Sequence, residues 1–227
     1  GLEVPGFPEH PHRGFETVTV TLEGTIDHFD SLGGSGRYAD GDVQWMTAGK
    51  GMQHCEMFPL VHSHKPNPLH LFQIWLNLPA KDKFVEPDYK MIWHETLNKI
   101  TRSEGGLTEI TLIAGTYGDT TVLAPVDNSW GSVEENHVNI WLVTMAPGAR
   151  MQLPNISPTS SKNLYLYEGT TVSFDLEEVL VPKRVRLNNQ LIEIVNTGEE
   201  AAFLYLEAEP INEPVAKYGP FVMNTNE

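Results

Sequence analysis

Two short runs limit what this chain can fold into more than anything else in it. The first is His10-Pro11-His12-Arg13-Gly14-Phe15-Glu16-Thr17, and the second is Gly49-Lys50-Gly51-Met52-Gln53-His54-Cys55-Glu56. Residues two apart on a strand point to the same side of it. His10 and His12 therefore share a face if the first run is a strand, and His54 and Glu56 do so if the second is one. Two such strands meeting inside a small barrel would bring three imidazoles and a carboxylate to one point. That donor set suits a borderline divalent metal, Fe(II) foremost. The competing reading is a pair of core histidines and a surface His–Glu pair. Two pairs at strand spacing, each beside turn glycines, count against it.

Parity gives the aim of the first pair. With no bulge between them, His10, His12, Glu16, Val18, Val20 and Leu22 lie on one face, and Thr17, Thr19 and Thr21 on the other. The histidines then share the apolar face, as an interior site requires. Cys55 falls between His54 and Glu56 and points away, so the single thiol is not expected among the ligands. His62-Ser63-His64 has the same spacing, but Lys65-Pro66-Asn67-Pro68 follows it. Two prolines so close rule out a central strand, and a solvated loop is expected there.

The rest of the chain is punctuated for strands. Nineteen glycines and 16 prolines are scattered through 227 residues, long enough for one large or two medium cores. Residues 18–23, 43–46, 69–78, 107–114 and 120–123 read as strands, and 91–97 as a short helical turn. In 69–78 both faces are apolar, which predicts cover on both sides. A second run begins near His137, and Tyr167-Glu168-Gly169-Thr170 echoes Leu22-Glu23-Gly24-Thr25. His10 and His12 lie 13 and 11 residues before Glu23; the same offsets from Glu168 land on Asn155 and Ser157. No histidine follows His137, so only the first half can assemble a multi-histidine site.

Charge and cysteine content narrow the function. A net charge of −15 opposes a phosphate backbone, so direct nucleic-acid binding is not expected, while protein partners and neutral small molecules fit. One cysteine cannot form an intrachain disulfide and fits a reducing compartment. No apolar run reaches the roughly 20 residues of a membrane span, and no membrane association is expected. The chain starts at Gly1 and its first methionine is Met46, so it reads as a piece of a longer protein.

Three stretches together resemble the pirin family of bicupins. They are His10-Pro11-His12-Arg13-Gly14-Phe15-Glu16, the run from Gly41-Asp42-Val43-Gln44-Trp45 through Gly49 and Gly51 to His54 and Glu56, and Gly219-Pro220-Phe221-Val222-Met223-Asn224-Thr225-Asn226-Glu227. The resemblance implies an all-β fold: two cupin-type barrels packed face to face, with few short helices. It implies a metal-bearing barrel in 1–125, a metal-free barrel in 126–212 and an arm, 213–227, packing back on the body. Relative to the family, strands before Gly1 and a helical segment after Glu227 are missing.

Matched motif to motif, the metal ligands would be His10, His12, His54 and Glu56, holding one Fe(II). Mn, Ni, Cu and Zn are the alternatives, since affinity alone favours Cu(II) or Ni(II). Cupins in general often take their carboxylate from the position of Glu16; in pirins the position of Glu56 serves. Glu16 is then either an acceptor orienting an imidazole or a structural group. The resemblance also implies a dioxygenase of the quercetin 2,3-dioxygenase type, opening a flavonol ring with release of carbon monoxide. Its partners would be a flat aromatic small molecule and dioxygen, with Glu56 as the catalytic base and Phe15, Trp45, Met52 and Phe72 as candidate pocket walls. The alternative is a redox-sensing, iron-dependent co-regulator that binds transcription-factor proteins; a third reading is a fold whose chemistry has been lost. A cytoplasmic monomer is expected, nuclear as well if the source is eukaryotic.

Overall fold

The computed structural model describes residues 4–188 and 190–226. Gly1, where the chain starts, and Glu227, the last residue of the expected arm, lie outside the described residues. The chain divides into two compact units: one of Gly1–Thr96, Pro125–Ser132 and Ile211–Glu227, the other of Leu97–Ala124 and Val133–Pro210. The expected boundary at 125 is thereby corrected. The strands Asn98–Ser103, Leu107–Tyr117 and Thr120–Val122 belong to the second unit, because Leu107–Tyr117 pairs with Asn139–Met145 along most of its length.

The first unit is built from β1 (Gly6–His12), β2 (Phe15–Glu23), β3 (Thr25–Asp30), β4 (Ser35–Ala39), β5 (Val43–Thr47), β6 (Met52–Met57), β7 (His70–Asn77) and β8 (Asp88–Ile92). They form two antiparallel sheets, in the orders β1-β6-β3-β4 and β7-β2-β5-β8. Strand β2 alternates threonine with valine, side chains that suit a pleated surface, and from Phe15 to Thr21 every residue is buried. Strand β7 is not covered on both sides as its composition predicts. Its residues are half-buried and Trp75 is exposed. The predicted helical turn at 91–97 is strand up to Ile92 and then a 3-10 turn, His94–Thr96.

The run through the first motif is broken where the sequence reading assumed it continuous. After His12 the chain leaves β1, and Gly14 turns it at φ +80° into β2, which sits in the other sheet. A Cβ on Gly14 would lie 2.2 Å from the Val222 carbonyl oxygen, so only glycine fits. The break resets the parity. Phe15, Thr17 and Thr19 stand opposite Asn77, Trp75 and Gln73 of β7, on the side that faces the histidines. Glu16 goes to the other face, beside Trp45 and Thr47.

A buried lysine locks this turn. Lys83 Nζ donates to the carbonyl of Gly14 at 2.8 Å, to Asn77 Oδ1 at 2.8 Å and to the carbonyl of Val222 at 2.9 Å. All three donors of the ammonium are used, as burial of a charge requires. The hairpin of Ala216–Tyr218 and Phe221–Met223 is thereby held against the first motif, and Val222 N–H donates to the Arg13 carbonyl at 3.0 Å.

In the second unit a seven-stranded sheet, which includes Leu107–Tyr117, Asn139–Met145, Ala201–Ala208 and Ser161–Glu168, accompanies a four-stranded one. Its core gathers Trp141, Tyr205, Phe203, Ile110 and Leu112. Asn155 and Ser157, the positions matching the histidine pair by offset, bind an ammonium instead. Lys162 Nζ donates to Asn155 Oδ1 at 2.7 Å and to the Ser157 carbonyl at 3.1 Å. Among the described residues no helix is long and apolar enough to cross a membrane.

Candidate metal centre

Strand β6 is the middle of the site. It pairs with β1 on one side, placing His10 opposite His54, and with β3 on the other, placing His28 opposite Glu56 and Asp30 opposite His54. The Nε2 atoms converge: His10 to His12 is 3.0 Å and His10 to His54 is 3.0 Å. The ligand nitrogens of all three lie within 4.8 Å of one another. Two nitrogens about 2.1 Å from one ion and at right angles are about 3.0 Å apart, so the spacing fits a shared cation.

The protons are placed to leave those nitrogens bare. His10 Nδ1 lies 2.7 Å from the Pro8 carbonyl, an acceptor only, so it carries the hydrogen and Nε2 keeps its lone pair. Burial, then the neighbouring His10, hold the His12 pKa down to about 4, against an upward pull from the Pro220 carbonyl. Burial and the surrounding histidines hold His54 down to about 3, with Asp30 pulling the other way. Near neutral pH, His12 and His54 are therefore uncharged. His12 Nδ1 is buried without a hydrogen-bond partner. Where neither of two facing nitrogens carries a hydrogen they repel unless a cation lies between them, and three neutral imidazoles at this spacing are the donor set a divalent metal needs.

Glu56 stands at the edge of this set rather than in it. It is buried, and its carboxylate accepts from the Gln73 amide at 3.0 Å and from the Tyr38 hydroxyl at 3.4 Å. Burial raises its pKa against the lowering effects of Gln73, His10, His28 and Tyr38. The predicted fourth ligand is thus placed beside the three histidines, tied to two polar partners. Gln73 also accepts from Trp75 Nε1 at 3.2 Å. Phe15 meets the His12 ring edge-on at 5.1 Å and Trp75 at 4.4 Å, and Lys217 lies 4.4 Å above the Trp75 ring. These residues give the site an aromatic wall.

Other expected members lie elsewhere. Trp45 is buried on the far face of β2, where its indole donates to Glu16. Glu16 accepts four hydrogen bonds, from Trp45 Nε1 at 2.9 Å, Thr47 Oγ1 at 2.7 Å, Ser129 Oγ at 3.0 Å and Trp130 N at 2.9 Å, none from an imidazole. It is therefore a structural anchor. His62 and His64 sit in an exposed loop, as expected, and His62 lines a cleft of about 580 Å³ that none of the three clustered histidines touches. A smaller cleft of about 240 Å³ does reach His12, with Met52 and Phe221 in its wall.

The sequence reading missed His28. It is fully buried, its Nδ1 lies 3.4 Å from His54 Nδ1, and its Nε2 lies 2.9 Å from Asp30 Oδ2. The spacing of His28 and Asp30, two apart on a strand, was the available signal.

Comparison with known proteins bears on this geometry. The family described as Pirin matches residues 2–76, and that described as Pirin C-terminal cupin domain matches residues 140–227. A Pseudomonas aeruginosa protein provisionally named a quercetin 2,3-dioxygenase is 36% identical over 228 residues, covering 99% of this chain and 76% of its own. Human pirin is 33% identical, covering 98% of this chain and 72% of its own. A crystal structure of quercetin 2,3-dioxygenase from Acinetobacter baumannii superposes with a TM-score of 0.87 at 32% identity, covering 100% of this chain and 75% of that one. An Escherichia coli bacterial pirin in complex with nickel(II) shares the fold, with a TM-score of 0.62 at 21% identity.

Proposed function

Since the chain belongs to the pirin family of two-cupin proteins, we propose that it is a mononuclear metal dioxygenase acting on flavonols or similar flat, hydroxylated aromatic compounds. His10, His12 and His54 would hold the metal, with Glu56 as fourth ligand or as base, and Fe(II) is the ion we assign. The observation that carries this reading is the convergence of three Nε2 atoms, two of them on buried histidines. Once bound, the metal supplies a Lewis acid that acidifies a hydroxyl and a redox centre for dioxygen.

The chain's own residues supply the rest. Glu56 is the base we assign to the substrate hydroxyl: its burial strengthens its hold on a proton, and Tyr38 and Gln73 fix its direction. Trp75, exposed beside the site and backed by the buried Phe15 ring, offers a surface against which a flat substrate would stack. Lys217, seated over Trp75, would cover that stack from the C-terminal hairpin.

Anaerobic loading with Fe(II), followed by quercetin and air, tests the reading. The flavonol absorbance is expected to bleach catalytically, and carbon monoxide to appear in the headspace. A fully metallated protein that leaves the flavonol intact overturns the oxygenase assignment and favours the co-regulator.

A further inference from the structure

The site holds a fourth histidine that no ligand motif contains, and its bonding has a definite polarity. Asp30 is the fixed end. Its Oδ1 accepts the backbone N–H of Leu32 at 2.8 Å and of Gly34 at 3.0 Å, while its Oδ2 lies 2.9 Å from His28 Nε2. Burial pushes its pKa up, but His28 and those two amides outweigh this and hold it below the ordinary carboxylate value. An ionised carboxylate can only accept, so His28 Nε2 carries the hydrogen toward it. With that hydrogen on Nε2, Nδ1 is left to accept, and the group that faces it is His54 Nδ1 at 3.4 Å. A hydrogen on His54 Nδ1 leaves His54 Nε2 bare, 3.0 Å from His10 Nε2.

We propose that Asp30 and His28 form a positioning relay that fixes His54 in the one tautomer and ring orientation able to present Nε2 to a metal. The usual arrangement gives a ligand histidine a carboxylate or carbonyl partner directly; here a second imidazole is inserted between ligand and carboxylate. The side chains of His28 and Asp30 are both fully buried, so no water competes for these bonds. The His28 ring also meets the rings of His54, at 5.4 Å, and Tyr89, at 4.9 Å. The register of β3 on β6 puts Asp30 directly opposite His54, so the relay is built into the strand pairing. His28 is a positioning residue that acts through His54.

The inference rests on the metal-centre reading, and the test separates the two. Co(II) is titrated into the metal-free chain against a competing chelator, and its ligand-field spectrum is recorded. The parent is expected to bind one Co(II) per chain. His28→Ala is expected to lose roughly 10- to 100-fold in affinity, the range for loss of a partner behind a ligand, and to shift the Co(II) bands. His28→Asn, whose carbonyl restores an acceptor for His54, is expected to recover most of that loss. Asp30→Asn keeps the volume but removes the charge and turns one acceptor oxygen into an N–H₂ donor, and about a tenfold loss is expected. Tyr89→Leu removes the packing on His28 but leaves the relay, and is expected to stay within about threefold of the parent, well short of that 10- to 100-fold range. Parental affinity and spectrum in His28→Ala, or in Asp30→Asn should the alanine variant fail to fold, overturn the relay alone. So does an equal loss in Tyr89→Leu, which would make packing the cause. A parent that binds no Co(II) overturns both readings.

Discussion

His12→Leu is expected to weaken metal binding severely and to leave the metal-free protein as stable as the parent or more so. The two effects have one origin. His12 is buried, its Nδ1 has no hydrogen-bond partner, and its Nε2 faces the lone pair of His10 at 3.0 Å. In the metal-free state its Nδ1 is a buried polar atom with no hydrogen bond of good geometry, an arrangement that costs about 1–3 kcal/mol. Leucine removes that cost and keeps apolar contact with Phe15 and Trp75, which the imidazole meets edge-on. Metal affinity should fall further than for loss of a partner behind a ligand, by about 1,000-fold, or roughly 4 kcal/mol. Metal analysis after dialysis and thermal melts with a chelator check the two halves separately. Retention of stoichiometric metal by the variant would contradict the ligand assignment.

Glu16→Gln is expected to destabilise the first unit while sparing the metal site. All four groups bonded to Glu16 are donors: the Trp45 indole, the Thr47 and Ser129 hydroxyls and the Trp130 amide. The carboxylate has no solvent exposure, and an amide in its place would aim its own N–H₂ at two of those donors. Each buried donor left without an acceptor costs about 1–3 kcal/mol, so a total of about 2–6 kcal/mol follows for two of them. Denaturant melts of the metal-free protein read this directly. The affinity of the folded protein for Co(II) should match the parent. A variant that melts like the parent but binds metal weakly would instead make Glu16 part of the centre.

The clustering of the three histidines was legible because strand spacing is a local property. His10, His12 and His54 do meet, as their positions two apart and their flanking glycines suggested. The parity argument failed at one residue. Gly14, at φ +80°, ends one strand and starts another in a different sheet, so Glu16 turned to the buried face away from the histidines and the threonines toward them. Nothing in the spacing of residues 10–22 reveals that break; it depends on Val222 and Lys83, far along the chain. His28 was missed for a similar reason. Its partner His54 is opposite only because of the β3–β6 register, a long-range pairing that no short motif encodes. The boundary at 125 was displaced because Leu107–Tyr117 finds its partner in Asn139–Met145, beyond the apparent end of the first barrel.

The most direct test is a crystal of the iron-loaded chain with anomalous diffraction collected at the iron edge. We expect a single strong peak bounded by Nε2 of His10, His12 and His54. No peak at those nitrogens, or iron held at the other described cluster of Asp42, His94 and Glu95, would contradict the account.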